Sequence, residues 1–175
     1  MKYEKLVESS YKGEKFEALK SGKVLLELKR RFLEQPSRNR MIELIDCLTD
    51  SLLYVPMNAI LSDKNTEALK NCKVGDEVKL VEDLRLTPDY LQNPEGNLYI
   101  PVFSQKEQVD KNYCKQFSGI YIHISEVIEL YKHPREKLAG IILDAHTKPI
   151  IFDDNLIDII EKIMELKEEE KRDTI

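Results

Sequence analysis

Leu98-Tyr99-Ile100-Pro101-Val102-Phe103-Ser104-Gln105-Lys106-Glu107 decides the fold. An apolar run suited to a pleated surface is followed at once by Ser-x-x-Glu. That is the spacing of a capping box, in which a hydroxyl and a carboxylate satisfy the free amides of a first helical turn. The stretch therefore predicts a strand through 97–103 that passes directly into a helix capped by Ser104. The cluster Asn93-Pro94-Glu95-Gly96-Asn97 is a turn that delivers the chain into it. The phrase recurs downstream as Gly119 to Ile124, then Ser125 capping Glu126 to Lys132, with Pro134 as the stop. A third cycle runs from Ala139 to Leu143, through a turn at His146 to Lys148, into Pro149 to Phe152. A long helix opened by Asp153 follows, with Leu156, Ile157, Ile160, Ile163 and Met164 inward and the charged tail Glu165 to Ile175 fraying into solvent.

Upstream, Leu52-Leu53-Tyr54-Val55-Pro56-Met57 is apolar on both faces and predicts a buried strand, with Pro56 at a bulge or an edge. A turn at Gly75-Asp76 precedes a weaker strand pattern from Val78 to Leu86. Ser37 is a good N-cap for a helix carrying Met41, Ile42, Leu44, Ile45 and Leu48 on one side. Before it, Val24, Leu25, Leu28 and Phe32 recur at helical spacing as far as Gln35-Pro36, and Lys29, Arg30 and Arg31 read as the solvated side of that helix. These elements give an α+β class: a mixed β-sheet flanked by helices, with an N-terminal amphipathic helix appended. The chain divides into a helical extension over 1–35, a domain over 36–168 and a charged tail over 169–175. The apolar stripe predicts that the extension packs through Val24, Leu25, Leu28 and Phe32 rather than trailing in water.

The 175 residues, 42% of them hydrophobic, suffice for one self-supporting core. Cys47, Cys72 and Cys114 form no C-x-x-C pair, which argues against a disulfide framework or a thiolate zinc site and fits a reducing cytoplasm. The net charge of −5 disfavours nucleic acid, although residues 1–35 carry net +3 against net −8 for the remainder. No apolar run is long enough to span a bilayer.

The phrases Leu53-Tyr54-Val55-Pro56 and Leu98-Tyr99-Ile100-Pro101-Val102-Phe103-Ser104 resemble the two signature strands of the SseB N-terminal domain family. The order of the later helices and strands agrees, and the resemblance covers roughly residues 40 to 165. Where members carry an asparagine-proline pair after the late aliphatic strand, this chain reads Asp144-Ala145-His146. The resemblance implies the α+β fold and no established reaction, cofactor or catalytic residue.

Asp144 and His146 form one constellation for acid–base or metal chemistry, with Ser104 at a strand end as a third group. The competing reading makes Asp144 a turn residue, His146 exposed and Asp153 the cap of the last helix. His123 falls on a partly exposed sheet face, and His133 in the last turn of its helix. Tyr54, Pro56, Tyr99, Pro101 and Phe103, with Ser104 and His146, are the candidate binding residues, a shallow aromatic groove if the rings are not simply core. No residue is assigned as catalytic, and no metal or cofactor is expected. The sequence thus points to a non-catalytic binding or regulatory module for a partner protein or a small metabolite, monomeric or homodimeric, without nucleic acid or membrane. The alternative is a small hydrolase or transferase using Asp144 and His146.

Overall fold

The computed structural model describes residues 19–70, 85–114, 117–134 and 137–173. The Gly75-Asp76 turn and most of the strand expected before Leu86 lie outside them. Among the described residues, the turn at Ser21-Gly22 leads into helices α1 (Lys23–Glu34) and α2 (Arg38–Asp50), then strand β1 (Leu52–Ile60) and helix α3 (Asp63–Lys70). Strands β2 (Arg85–Pro88), β3 (Leu91–Gln92) and β4 (Leu98–Val102) follow. A 3-10 turn at Lys106–Gln108 and the short helix α4 (Lys111–Cys114) lead into strand β5 (Ser118–His123) and helix α5 (Ile124–Lys132). Strands β6 (Leu138–Leu143) and β7 (Ile150–Phe152) precede the closing helix α6 (Asp154–Asp173).

The described strands form two sheets. One has the order β2-β1-β5, antiparallel throughout; the other has the order β3-β4-β6-β7, in which β4 and β6 run parallel and the outer pairs are antiparallel. Among the described residues one isolated bridge joins them. Phe103 leaves the end of β4 and exchanges two backbone hydrogen bonds with Tyr54 of β1, at 2.9 and 2.8 Å.

Pro56 is on β1, which is central in its sheet rather than an edge. Backbone amides two residues apart point to the same side of a strand, so position 56 faces the side on which Tyr54 meets Phe103. Pro56 thus falls where that side changes partner from Phe103 to β2, whose first pair is Met57 with Pro88, and the missing donor breaks no ladder.

Helix α2 touches α1, α5 and α6. Its Leu44, Ile45, Cys47 and Leu48 are buried, as are Ile124, Val127 and Ile128 of α5 and Ile157 and Ile160 of α6. Ser37 accepts the Arg40 N–H at 3.3 Å and caps α2, and Asp153 accepts the Leu156 N–H at 3.0 Å and caps α6. The α6 helix does not fray after Glu165 but runs to Asp173, because Lys167 reaches back to Asp46 and Asp50 of α2, at 2.7 and 2.9 Å. At the start of α5 the carboxylate of Glu126 receives the His123 N–H at 2.9 Å, so the helix begins ahead of Ser125, which lies inside its first turn. Among the described residues no helix is long and apolar enough to cross a membrane.

The N-terminal helix is part of the core, not an appendage upon it. Val24, Leu25 and Leu28 are buried in the same cluster as α2 and the sheet, with Phe32 packed alongside. At about 1.5–3 kcal/mol for each large side chain fully withdrawn from water, this stripe holds α1 firmly. Lys29 corrects the expected solvated side. It is buried too, 3% exposed, while Arg30 and Arg31 do face solvent.

The turn before α1 presses directly on the end of β4. Gly22 has φ 69, and a Cβ there would stand 1.7 Å from the Ser104 carbonyl oxygen. Gly22→Ala meets both a left-handed backbone and a rigid main-chain atom, so it should cost about 1–3 kcal/mol. A urea titration checks this by a lower midpoint at unchanged slope; an unshifted midpoint would mean that the contact is not tight.

Candidate functional site

Parallel strands deliver their carboxyl ends to one place, and in sheets of this kind ligands gather there. Here β4 ends at Phe103-Ser104 and β6 at Asp144, whose N–H donates to the Val102 carbonyl at 2.8 Å and extends the ladder by one rung. The chain then turns. Asp144 has φ 51, a left-handed conformation that aspartate tolerates better than most residues, and its carbonyl accepts the Thr147 N–H at 3.1 Å.

The Asp144 side chain is completely buried. Its Oδ1 accepts the Ser104 N–H at 2.7 Å, and the Ser104 hydroxyl lies 3.0 Å from both carboxylate oxygens. Its Oδ2 accepts from the Lys29 ammonium at 2.8 Å. Withdrawing each ion from water costs several kcal/mol, which mutual attraction offsets only when the remaining donors and acceptors are also satisfied. Here they are: among the described residues no buried side-chain nitrogen or oxygen lacks a partner.

This arrangement overturns the capping role expected for Ser104. A hydroxyl gains more from a carboxylate than from a neutral amide. The segment after it is the 3-10 turn, with Gln105 at its cap position and no side-chain cap bond. The Gln105 amide instead donates to the Ser21 carbonyl at 2.8 Å, a second tie between the start of α1 and the end of β4.

His146 is half-buried rather than exposed, its ring 5.2 Å from Phe103 and 4.7 Å from Tyr113. Its Nδ1 accepts the Asp110 N–H at 3.0 Å, so in the neutral ring the proton sits on Nε2. No hydrogen bond joins it to Asp144. Asp110 in turn accepts from the amides of Tyr113 and Asn112, at 3.2 and 2.9 Å, which hold its carboxyl below the usual range. The Tyr113 hydroxyl donates to Asp89, and burial together with that carboxylate pushes the phenol well up.

The other candidates divide. Tyr54, Pro56, Pro101 and Phe103 are buried. Tyr54, Phe103 and Val109 form a small second core with Tyr113 and Ala145, packed against one another instead of lining a groove. The Tyr54 ring lies so flat on Gly119 that a Cβ there would meet it at 1.9 Å. Half-buried Tyr99 stands apart, paired with Leu91 and about 13 Å along the strand from Phe103. Of the predicted set, the structure brings together Tyr54, Phe103 and His146, and sets Ser104 beside Asp144.

Sequence reasoning missed an open cleft of about 450 Å³ beside this knot. The outer face of α1 forms one wall through Leu26, Glu27, Arg30 and Leu33; Gln108, Thr147 and Lys148 form the other. Arg30 and Arg31 bind the Glu27 carboxylate at 2.8 and 2.9 Å and hold its pKa down to about 2. Among the described residues no three His, Cys, Asp or Glu side chains stand together as a metal site. Cys47 is no nucleophile in waiting, since burial pushes its thiol up to about 12.

The SseB protein N-terminal domain model matches residues 27–157. No curated protein and no solved structure matches.

The buried pair generates a double-mutant test. Lys29→Met and Asp144→Asn each leave one charge buried without its partner and should each cost about 3–5 kcal/mol in urea unfolding. The double variant should lose at least about 1 kcal/mol less than the sum; additive losses would deny the coupling. For Cys47 the sign is fixed by its raised value. An unfolded thiol releases its proton near 8.5 while the folded one keeps it, so this group's contribution to stability is intact below about 8.5 and falls as pH rises toward 12. Iodoacetamide at pH 8 should leave the Cys47 peptide unmodified until the protein is denatured, as read by peptide mass mapping.

Proposed function

The chain belongs to the SseB protein N-terminal domain family, and from that premise we propose that it is a non-catalytic binding module. It takes a small metabolite or a short piece of a partner protein in the cleft between α1 and the turns at Gln108 and Thr147-Lys148. One observation carries the reading: of the groups best suited to acid–base chemistry, Asp144 is sealed inside the fold, and His146 has only its Nε2–H left, with no titratable group among the described residues bonded to it. Asp144 is held by Lys29 and Ser104 away from water, and the His146 Nδ1 is held by a backbone amide. A catalyst needs at least two titratable groups within reach of one accessible point. A hydrolase or transferase built on Asp144, His146 and Ser104 would first have to release Asp144 from Lys29.

The cleft has what a binding site needs and that knot lacks: access, size and mixed surface. Its volume of about 450 Å³ lies within the range of small-ligand sites, and half-buried Leu26 and Leu33 provide an apolar floor. The neighbouring buried pair keeps the walls at a set distance, so little ordering is left to be done on binding.

Nuclear magnetic resonance of the isotope-labelled protein with a set of small apolar fragments tests this. Shift changes are expected to cluster at Leu26, Leu33, Gln108 and Lys148. Changes confined to His146 and Tyr113, or an ester hydrolysis abolished by His146→Ala, would sink the reading in favour of an enzyme.

A further inference from the structure

Resting on that reading of the cleft, we infer that its ligand is a small carboxylate with an apolar body. The inventory of charges around the cleft decides the class. Glu27 is bound by Arg30 and Arg31, and Glu34 by Arg30, so the two acids on this face of α1 are met by two guanidiniums. The Lys29 ammonium is bound to buried Asp144 at 2.8 Å. Lys148 remains. It is exposed on the turn after Thr147, and among the described residues it makes neither a hydrogen bond nor an ion pair.

A hydrogen-bond donor stands near that lysine. The Thr147 hydroxyl donates to the Gln108 side-chain oxygen at 3.2 Å, which orients the amide and leaves its NH₂ group for a ligand. One cation and one amide donor match a singly charged carboxylate. A phosphate is recognised best by paired guanidiniums, and both arginines here are already bound to glutamates. A cationic ligand would find no carboxylate that is not already held. Leu26 and Leu33 then take the apolar body, which must lie along α1 because they are seven residues, two turns, apart on one face.

Calorimetric titration of the full chain with octanoate, octanol and octylamine separates the outcomes. Octanoate should bind about fivefold more tightly than octanol, the upper reach of an exposed ion pair, and the preference should shrink as salt is raised. Lys148→Gln, an exposed substitution that leaves the core untouched, should bring octanoate to the level of octanol without changing octanol. Equal binding of octanoate and octanol, or tighter binding of octylamine, overturns the carboxylate assignment while leaving the cleft as the site, provided Leu33→Asp abolishes both. A preference that survives Lys148→Gln overturns the assignment to that lysine. No heat with any of the three overturns the carboxylate and, with it, the reading of the cleft as a binding site.

Discussion

A carboxylate with no path to water at the end of β6 has to be met by a cation, and in this fold the cation comes from the other end of the chain. Lys29 supplies it from α1, and that requirement ties together elements which apolar packing alone would leave free to slide. Leucine and valine side chains fix how deep α1 sits. They do not fix its position along its own axis nearly so well, because one apolar contact resembles the next. The 2.8 Å bond to Asp144 sets the register, and the approach of Gly22 to the Ser104 carbonyl sets the entry angle. The cleft is a by-product of that placement, since its two walls are α1 and the loops on either side of the pair.

The two sheets divide the work. The parallel pair β4 and β6 builds the rigid end on which Ser104 and Asp144 stand, while β1 and β5 carry the aromatic side of the molecule. Phe103 is the hinge between these regions, the last residue aligned with β4 and the first bonded to β1. Its ring goes into the second core with Tyr54, and its successor Ser104 goes to the carboxylate. Two adjacent residues thus face two different centres, as alternation along an extended chain requires.

Strands and helices with strong periodicity were legible in the sequence. The segments around Tyr54 and Ile100, the caps at Ser37 and Asp153 and the stripe on α1 all follow from local spacing. What spacing misled on was chemistry held between distant residues. Lys29 lies four residues after Leu25, on the buried stripe; its position announced burial, and only its charge argued for solvent. Ser104 sits at a capping interval from Glu107, but its true partner is forty positions away. No local pattern contains that distance. The cleft was equally out of reach, because its walls are far apart in the chain and meet only after folding.

The separation between Lys29 and Asp144 also bears on how the protein is made. They are 115 positions apart, so a chain growing from its amino end completes α1 long before the residue that anchors it exists. At about 5–20 residues per second, the lysine waits on the order of 6–23 s. For that interval α1 and α2 have each other and the first strand, but no parallel pair to lie against. The Lys29 ammonium therefore lacks its buried carboxylate until Asp144 has been made, and the register of α1 is fixed only then.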